Sequence, residues 1–160
     1  MDDRWIQIAR TSSPEETKRC AARLAELVFP GTVVTLEGSL GAGKTHFVQG
    51  LAGGLGVVEA VTSPTFNVMA AYLTGRIPLY HFDLYRLESP DDLVDIAFYD
   101  YVESDGVACV EWAEKFTTDL PEDRLEIRLC VDGEGTRVLY ARTVGEQDEK
   151  LLRRWRARLD

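Results

Sequence analysis

The sequence predicts an α/β fold, with one mixed, mainly parallel sheet, helices on both of its faces and antiparallel hairpins. Helix and strand patterns alternate in the first half of the chain, and two hairpin patterns follow in the second half. The 160 residues contain no linker and no long internal repeat, and a composition that is 45% hydrophobic and 28% charged is typical of globular domains. A chain of this length buries roughly 70% of its unfolded surface. We therefore expect residues 1–160 to form a single domain.

The first half of the chain predicts a strand, a helix, a second strand and a second helix. Ser13 supplies an N-cap, Pro14 suits the first helical turn and Glu16 completes a capping box, so a helix should follow the first strand. The pair Pro30-Gly31 ends this helix, and an apolar run then leads directly into glycine-rich sequence. The second helix is expected to be closed by the glycines at 53, 54 and 56. The predicted strands are 5–9 and 32–37, and the predicted helices are 14–28 and 46–55.

The second half predicts hairpins and further helices. Two β-rich runs joined by residues 74–76 indicate one hairpin, and two runs on either side of residues 132–135 indicate another. Ser89 and Pro90 repeat the cap signal of the first helix. The predicted strands are 66–73 with 77–84, 107–111, and 125–131 with 137–143, and the predicted helices are 90–102 and 146–159.

The net charge of the chain is −9, which disfavours broad binding to nucleic acids or acidic membranes by charge alone. Residues 150–160 are the exception, because they carry five basic residues and one acidic residue and leave −13 on residues 1–149. Cys20, Cys109 and Cys130 lack metal-site spacing and indicate a reducing compartment. The amino terminus does not resemble a secretory signal, and no apolar run is long enough to span a bilayer. We therefore expect a cytoplasmic protein without membrane partners.

A phosphate-binding motif lies between the second predicted strand and the second predicted helix. Gly38 is followed by four residues and then by Gly43-Lys44-Thr45, which is the spacing of a P-loop. Gly41 and Gly43 let the backbone wrap so that its N–H groups converge on the β-phosphate, and the following helix adds its positive dipole end. Lys44 is expected to reach the β- and γ-phosphate oxygens, and the Thr45 hydroxyl to ligate magnesium. The motif predicts a P-loop NTPase-like fold that binds a nucleotide.

A P-loop also needs an acidic group to hold the metal or its water shell, and two candidates follow apolar strand residues. Asp83 and Glu111 would both project from the carboxyl edge of the sheet, where ligands bind in such folds. His81 has no partner that the sequence identifies, so we expect a packed or capping residue. His46 is expected to contact the nucleotide through its backbone N–H, and Tyr85 is interpreted, like two other tyrosines of this hairpin, as a sheet residue.

Three classes of P-loop protein can be compared with the sequence. A GTPase is disfavoured, because the only asparagine, Asn67, is not part of the guanine-reading Asn-Lys-x-Asp element. A small-molecule kinase needs basic residues to clamp its substrate, and only Arg76 and Arg86 are basic between residues 45 and 111, so this class is the alternative. The third class is an ATPase or switch that drives a partner protein. Hydrolysis of ATP by such a protein should be slow without a partner, because few basic residues are available near the γ-phosphate. A positioned arginine there is worth about 10³ to 10⁵ in rate.

Four motifs in this order and spacing resemble the bacterial TsaE family: GSLGAGKT at 38–45, SPTF at 63–66, HFDLYRL at 81–87 and VEW at 110–112. The resemblance covers nearly the whole chain. It implies a magnesium-dependent ATPase of tRNA threonylcarbamoyladenosine biosynthesis that acts with the TsaD and TsaB proteins. These proteins transfer the threonylcarbamoyl group to adenosine 37 of tRNAs that read codons beginning with A, so contact with tRNA is expected to be indirect, through the complex.

The resemblance also implies roles for particular residues. Lys44, Asp83 and Glu111 are the implied catalytic residues, and Thr45 and Glu111 are the implied magnesium ligands. Residues 63–66 would form a switch-like loop near the γ-phosphate. The residues implied to contact ATP are Thr11, Gly38, Gly41, Ala42, Gly43, Lys44, Thr45, His46 and Arg137.

Two positions depart from the family pattern. Ser39 stands where an acidic residue is common, and His46 stands where a small hydroxyl residue is usual. Trp112, by contrast, matches a family tryptophan beside the site. Neither departure removes a group that phosphate binding requires.

The basic carboxy-terminal segment has two interpretations. Lys150, Arg154 and Arg158 recur every fourth residue opposite an apolar face, which is typical of an amphipathic helix docked on the sheet with a solvated basic stripe. Alternatively, the stripe faces tRNA or an acidic partner surface in the assembled complex.

Overall fold

The computed structural model describes residues 4–64 and 66–159, which form a seven-stranded sheet flanked by helices. The strands are β1 (Ile6–Thr11), β2 (Val33–Glu37), β3 (Met69–Tyr72), β4 (Leu79–Asp83), β5 (Val107–Glu111), β6 (Arg124–Val131) and β7 (Arg137–Val144). The helices are α1 (Pro14–Ala25), α2 (Lys44–Leu55), α3 (Pro90–Asp95), α4 (Phe98–Val102), a 3-10 helix (Ala113–Asp119) and α5 (Glu149–Leu159). The strands lie in the order β1-β7-β6-β2-β5-β4-β3.

The centre of the sheet is parallel and its two sides are antiparallel. Strands β6, β2, β5 and β4 pair in parallel, whereas β1 with β7, β7 with β6, and β3 with β4 pair antiparallel. The predicted mixed sheet is confirmed, and its parallel pairing is confined to these four central strands. Their carboxyl ends meet at one edge of the sheet, which is where the chain leaves β2 and enters the P-loop motif.

Apolar side chains cover both faces of the sheet, as the alternation of helices and strands predicts. One cluster packs α1, α2 and α5 against one face, with Leu24, Phe47 and Trp155 among its fully buried members. A second cluster packs α3, α4 and the 3-10 helix against the other face, around Phe82 and Phe98. Among the described residues, no helix is long and apolar enough to cross a membrane.

The helices on the P-loop side differ from the predictions at their ends. The Ser13 cap is confirmed, because its hydroxyl accepts the Glu16 N–H at 3.2 Å, but α1 ends at Ala25 rather than at residue 28. The Arg76 guanidinium donates to the Ala25 and Val28 carbonyls at 2.5 and 3.0 Å, which satisfies acceptors at the end of this helix. Helix α2 runs through the glycines at 53 and 54, and the left-handed Gly56 alone forms its C-cap.

Helices α1 and α2 approach each other closely because α2 carries a glycine at their contact. A Cβ atom at Gly50 would lie 2.2 Å from the carbonyl oxygen of Lys18 and 2.5 Å from its Cα. These contacts are with backbone atoms, which cannot move aside without separating the helices. Gly53, one turn later, has open space where its Cβ would lie. The two glycines of the same helix therefore differ sharply in what they tolerate.

Three other predicted segments are shorter than expected. The predicted helix 90–102 is two helices, because Ala97 between them adopts a left-handed conformation with φ of 58°. Strand β3 begins at Met69 rather than at residue 66, since Val68 is also left-handed, with φ of 66°. Helix α5 begins at Glu149 rather than at residue 146.

Helix α5 docks on the sheet through its apolar face. Leu151, Leu152 and Trp155 are buried, and the Trp155 indole Nε1 donates to the Cys20 carbonyl oxygen at 3.0 Å. Arg158 forms an ion pair with Glu26 of α1, whereas Arg154 is exposed. The predicted amphipathic packing is present, and one member of the basic stripe is paired within the chain.

Candidate nucleotide-binding site

The P-loop motif connects the end of β2 to the start of α2 and adopts the backbone that its glycines favour. Gly41 and Gly43 have φ of 81° and 103°, conformations that residues with a Cβ rarely adopt. Gly43 is also the N-cap of α2 and provides no side chain to cap the helix. The first N–H groups of α2 therefore remain available at the helix end that attracts anions.

Lys44 lies at the first position of α2, and two groups hold its ammonium. The Nζ atom donates to the Gly38 carbonyl oxygen at 2.7 Å and lies 4.4 Å from the centre of the Trp112 ring. The Tyr85 ring packs against the Trp112 ring, and the two ring centroids lie 4.9 Å apart. Lys44 is 8% exposed, so its charge sits in a largely desolvated position beside the P-loop.

Asp83 and Glu111 end two neighbouring parallel strands. They face each other in the register of β4 and β5, and both are buried, with 5% and 4% of their surfaces exposed. The chain beyond Asp83 turns at once, because its Oδ1 accepts the Tyr85 N–H at 3.0 Å. The expected placement of both carboxylates at the carboxyl edge of the sheet is therefore what the structure shows.

Glu111 makes a hydrogen bond that the sequence did not indicate. The His81 Nε2 and the Glu111 Oε2 atoms lie 2.5 Å apart, and His81 is fully buried. The adjacent Cys109 is also buried, and burial together with the Glu111 carboxylate holds the pKa of this thiol well above its usual value. The Glu111 carboxylate therefore acts electrostatically on Cys109, inside the sheet, although Glu111 itself lies at the sheet edge.

The loop after β4 is fixed by a lysine from the 3-10 helix. The Lys115 ammonium donates to the carbonyl oxygens of Leu84, Tyr85 and Leu87, at 3.3, 2.5 and 2.6 Å. On the other side, the Asp83 N–H donates to the carbonyl oxygen of the left-handed Val68 at 2.8 Å. The segment that carries Asp83 and Tyr85 is therefore held from both sides.

A cavity of about 640 Å³ opens at this edge of the sheet, a volume in the range of ligand pockets. It brings together most of the residues that the sequence singles out. The predicted residues that line it are Gly41, Gly43, Lys44, Thr45, His46, Ser63, Asp83, Glu111 and Trp112. Leu40 and Tyr85 are the other described residues that line it. Tyr85 lies beyond the end of β4, so the interpretation of Tyr85 as a sheet residue is wrong.

The remaining predicted contact residues, which do not line the cavity, are Thr11, Gly38, Ala42 and Arg137. The Arg137 guanidinium donates to the carbonyl oxygens of Gly41 and Ala42, each at 3.1 Å. Thr11 shares a buried hydrogen bond of 2.8 Å with Thr17. A Cβ at Gly38 would lie 2.8 Å from the Leu129 carbonyl oxygen, so this glycine permits the P-loop to pass close to β6. Arg137 therefore supports the P-loop from outside the cavity, and Gly38 allows its close approach to β6.

The described residues of the SPTF segment differ in their position relative to the cavity. Ser63 lines it, and the preceding Val61 is held by α2, whose Gln49 side chain donates to the Val61 carbonyl oxygen at 3.0 Å. Thr65 lies outside the described residues. Phe66 is exposed and stacks with Arg86, whose guanidinium carbon is 4.6 Å from the ring centre.

The donors in the cavity fit a magnesium ion that is shared with a phosphate ligand. Thr45, Asp83 and Glu111 offer a hydroxyl and two carboxylates, which are the hard oxygen ligands that Mg²⁺ prefers. The described residues contain no cluster of three or more His, Cys, Asp or Glu side chains that could hold a metal by itself. Mg²⁺ usually binds through one or two carboxylates together with substrate phosphates and water, so the two observations agree.

Sequence reasoning missed residues whose roles depend on the folded chain. Leu40 and Tyr85 carry no chemical signal for a cavity, and the HFDLYRL motif was the only pointer to Tyr85. The partner of His81 lies 30 residues away on the next strand of the sheet. Knowledge of the parallel pairing of β4 and β5 would have indicated this partner. The pairing places Glu111 opposite Asp83, which lies two residues beyond His81 on the same face of β4.

Comparisons with known proteins point in one direction. A family model described as threonylcarbamoyl adenosine biosynthesis protein TsaE matches residues 11–139. The tRNA threonylcarbamoyladenosine biosynthesis protein TsaE of Bacillus subtilis is 44% identical over 142 residues, which is 89% of each chain. The protein of the same name from Treponema pallidum is 46% identical over 125 residues, 78% of this chain and 92% of that one. A crystal structure of Bacillus subtilis YdiB superimposes with a TM-score of 0.83 and 37% identity, covering 98% of this chain and 97% of that chain.

Proposed function

Because the chain belongs to the TsaE family of threonylcarbamoyl adenosine biosynthesis proteins, we propose that it is a magnesium-dependent ATPase required to form threonylcarbamoyladenosine at position 37 of tRNAs. Its proposed partners are the TsaD and TsaB proteins, and its proposed location is the cytoplasm. The observation that carries the proposal is the convergence on one cavity of the P-loop, Lys44, Thr45 and two strand-end carboxylates. These are the groups that nucleotide phosphates and their metal require.

Different residues of the cavity would bind the phosphates, hold the metal and orient water during hydrolysis. The N–H groups of the P-loop and of the first turn of α2 bind the phosphates, and the Lys44 ammonium exchanges its hydrogen bond to Gly38 for phosphate oxygens. Thr45 and Glu111 would hold the metal, and Asp83 would orient its water shell or the attacking water. Mg²⁺ bound there would neutralise charge that develops on the phosphoryl oxygens.

The placement of the basic residues around the cavity is an argument for a low rate of hydrolysis in the absence of a partner. Lys44 is the sole lysine or arginine in the described lining of the cavity. Arg86 stacks on Phe66, and Arg137 donates to P-loop carbonyls behind the cavity. A partner that supplies an arginine, or that moves one into the cavity, would add the charge stabilisation that is worth about 10³ to 10⁵ in rate.

The charge distribution supports indirect contact with tRNA. Residues 1–149 carry −13, so the body of the protein repels a phosphate backbone, and the partner proteins are proposed to hold the tRNA. The exposed arginines of α5 are the part of the described chain that could approach RNA or an acidic partner surface. Charge reversal at Arg154 tests that possibility, since Arg154 is exposed on the basic stripe.

Reconstitution of tRNA modification tests the proposal. TsaD, TsaB, tRNA, ATP, Mg²⁺ and a threonylcarbamoyl donor are combined with the wild-type chain, with no chain, or with the variants Lys44→Ala and Glu111→Ala. Among these four reactions we expect sustained modification only in the one that contains the wild-type chain, because Lys44→Ala loses a phosphate-binding group and Glu111→Ala loses a metal ligand. Unchanged modification without the chain would overturn the proposal, and transfer of labelled phosphate from ATP to a metabolite in the absence of partners would favour a small-molecule kinase.

A further inference from the structure

We propose that His81 is a positioning residue, which fixes the orientation of the Glu111 carboxylate for the metal of the nucleotide site. The inference rests on the proposed function, because it assigns a role within that site. His81 is fully buried and Glu111 is 4% exposed, and their Nε2 and Oε2 atoms lie 2.5 Å apart. His81 does not line the cavity, so it acts through Glu111 and not on the nucleotide.

The position of His81 in the sheet is one where packing favours an apolar residue. Alternate residues of a strand share a face, so His81 lies on the face of β4 that carries Leu79 and Asp83. Leu79, together with Val107 and Cys109 of β5, belongs to the apolar cluster beneath α2. An imidazole at this depth loses its hydration, and a leucine would bury more apolar surface at no such cost. Packing therefore does not explain the histidine.

The hydrogen-bonding capacity of the pair explains it better. A carboxylate that ligates a cation is ionised and only accepts hydrogen bonds, so the His81 Nε2–H donates to Glu111 Oε2. The His81 Nδ1 atom is then the ring nitrogen without a proton, and it has no hydrogen-bond partner among the described residues. The imidazole thus keeps one hydrogen bond, and it uses that bond on Glu111.

This hydrogen bond determines how Glu111 presents its charge to the cavity. The Glu111 side chain has three torsions, and the bond to the buried ring fixes the plane of its carboxylate. Asp83, its neighbour in the register, has a shorter side chain and accepts a backbone N–H from its own turn. Removing the partner of a metal ligand typically weakens metal binding 10-fold to 100-fold. We expect a loss of that order in the affinity of the site for Mg²⁺ when His81 cannot donate.

Nucleotide binding measured with and without metal tests the proposal independently of catalysis. Isothermal titration gives the ATP affinity in EDTA and at a series of Mg²⁺ concentrations, for His81→Leu and His81→Gln. We expect His81→Leu to bind ATP like the wild type in EDTA but to need 10-fold to 100-fold more Mg²⁺ for its effect on ATP binding. His81→Gln should recover part of this loss, because a glutamine amide can donate to Glu111.

Control variants separate the hydrogen bond from packing. Cys109→Ala alters the same face of the sheet at the residue paired with His81, and it should leave the Mg²⁺ requirement unchanged. If thermal unfolding shows that His81→Leu does not fold, His81→Met takes its place, since methionine also lacks a donor and adapts to irregular space. In a Glu111→Gln background, loss of the His81 donor should have no further effect on Mg²⁺.

The outcomes distinguish this inference from the proposed function. A folded His81→Leu or His81→Met protein with the wild-type Mg²⁺ requirement would overturn the positioning role, and so would equal losses in the glutamine and leucine variants. The proposed function fails separately, if the wild type binds ATP without any effect of Mg²⁺ or if Lys44→Ala binds ATP as the wild type does.

Discussion

Replacement of Asp148 by asparagine should change how the stability of the protein depends on pH. Asp148 directly precedes α5 and is fully buried, and neither of its carboxylate oxygens has a hydrogen-bond partner among the described residues. Burial raises the pKa of Asp148 to about 6, the nearby Asp123 carboxylate adds to the rise, and Gln147 offsets part of it. Folding therefore favours the protonated form of this side chain.

The sign and size of the effect follow from linkage between protonation and folding. Below the unfolded pKa of about 3.9, Asp148 is protonated in both states and imposes no penalty. As the pH rises from the unfolded pKa to the folded pKa, the unfolded state has ionised while the folded state keeps its proton, so stability is lost until about pH 6 to 7. A shift of about 2 units corresponds to about 3 kcal/mol, and roughly half of this falls between pH 5 and pH 7.5.

Urea unfolding of the wild type and of Asp148→Asn at several pH values measures this effect. Between pH 5 and pH 7.5, the free energy of unfolding of Asp148→Asn should rise by roughly 1.5 kcal/mol relative to that of the wild type. The buried amide adds a constant offset, which does not alter the pH dependence of the difference. Asp123→Asn should reduce the pH dependence, because it removes the neighbouring charge. Parallel stability curves for the wild type and Asp148→Asn would refute the reasoning.

Two further predictions concern the helix packing and the support of the P-loop. Gly50→Ala should destabilise the fold by several kcal/mol, because the new Cβ would collide with the backbone of Lys18. Gly53→Ala should stabilise the fold by about 0.5 to 1 kcal/mol, because its Cβ would enter open space. Thermal unfolding compares the two variants, and equal effects would contradict the close approach of α1 and α2. Arg137→Met should lower ATP affinity about tenfold and retain cooperative unfolding, because the P-loop loses two charged hydrogen bonds to the Gly41 and Ala42 carbonyls. Titration calorimetry measures the affinity, and an unchanged value would show that the loop holds its shape without the arginine.

The features of the site that the sequence predicts are those encoded locally. The P-loop spacing, its two positive-φ glycines and the placement of Asp83 and Glu111 at strand ends each depend on a short stretch of chain. Lys44 follows Gly43 in the same short motif and lines the cavity, whereas its predicted contact with phosphate stays a prediction. The mixed sheet could be predicted because turn signals separate its strands, although only the central pairings are parallel.

The features that the sequence does not predict depend on residues distant in the chain. The hydrogen bonds of Arg137 to the Gly41 and Ala42 carbonyls join a strand to a loop nearly a hundred residues earlier, and no local pattern indicates them. Ala97 breaks a predicted helix although alanine favours helices, so its left-handed backbone does not follow from its own helix propensity. Helix α1 ends early where Arg76, from another part of the chain, binds its carbonyls.

The pairing of β1 with β7 places a constraint on when the protein can fold as it is synthesised. Thr11 lies opposite Arg137, so the first strand waits for a partner made 126 residues later. At about 5 to 20 residues per second, ribosomal synthesis of that stretch takes roughly 6 to 25 s. Until then β1 has an unpaired edge, and the P-loop lacks the support of Leu129 and Arg137. Nucleotide binding by the nascent chain should therefore appear only after β7 has left the ribosome.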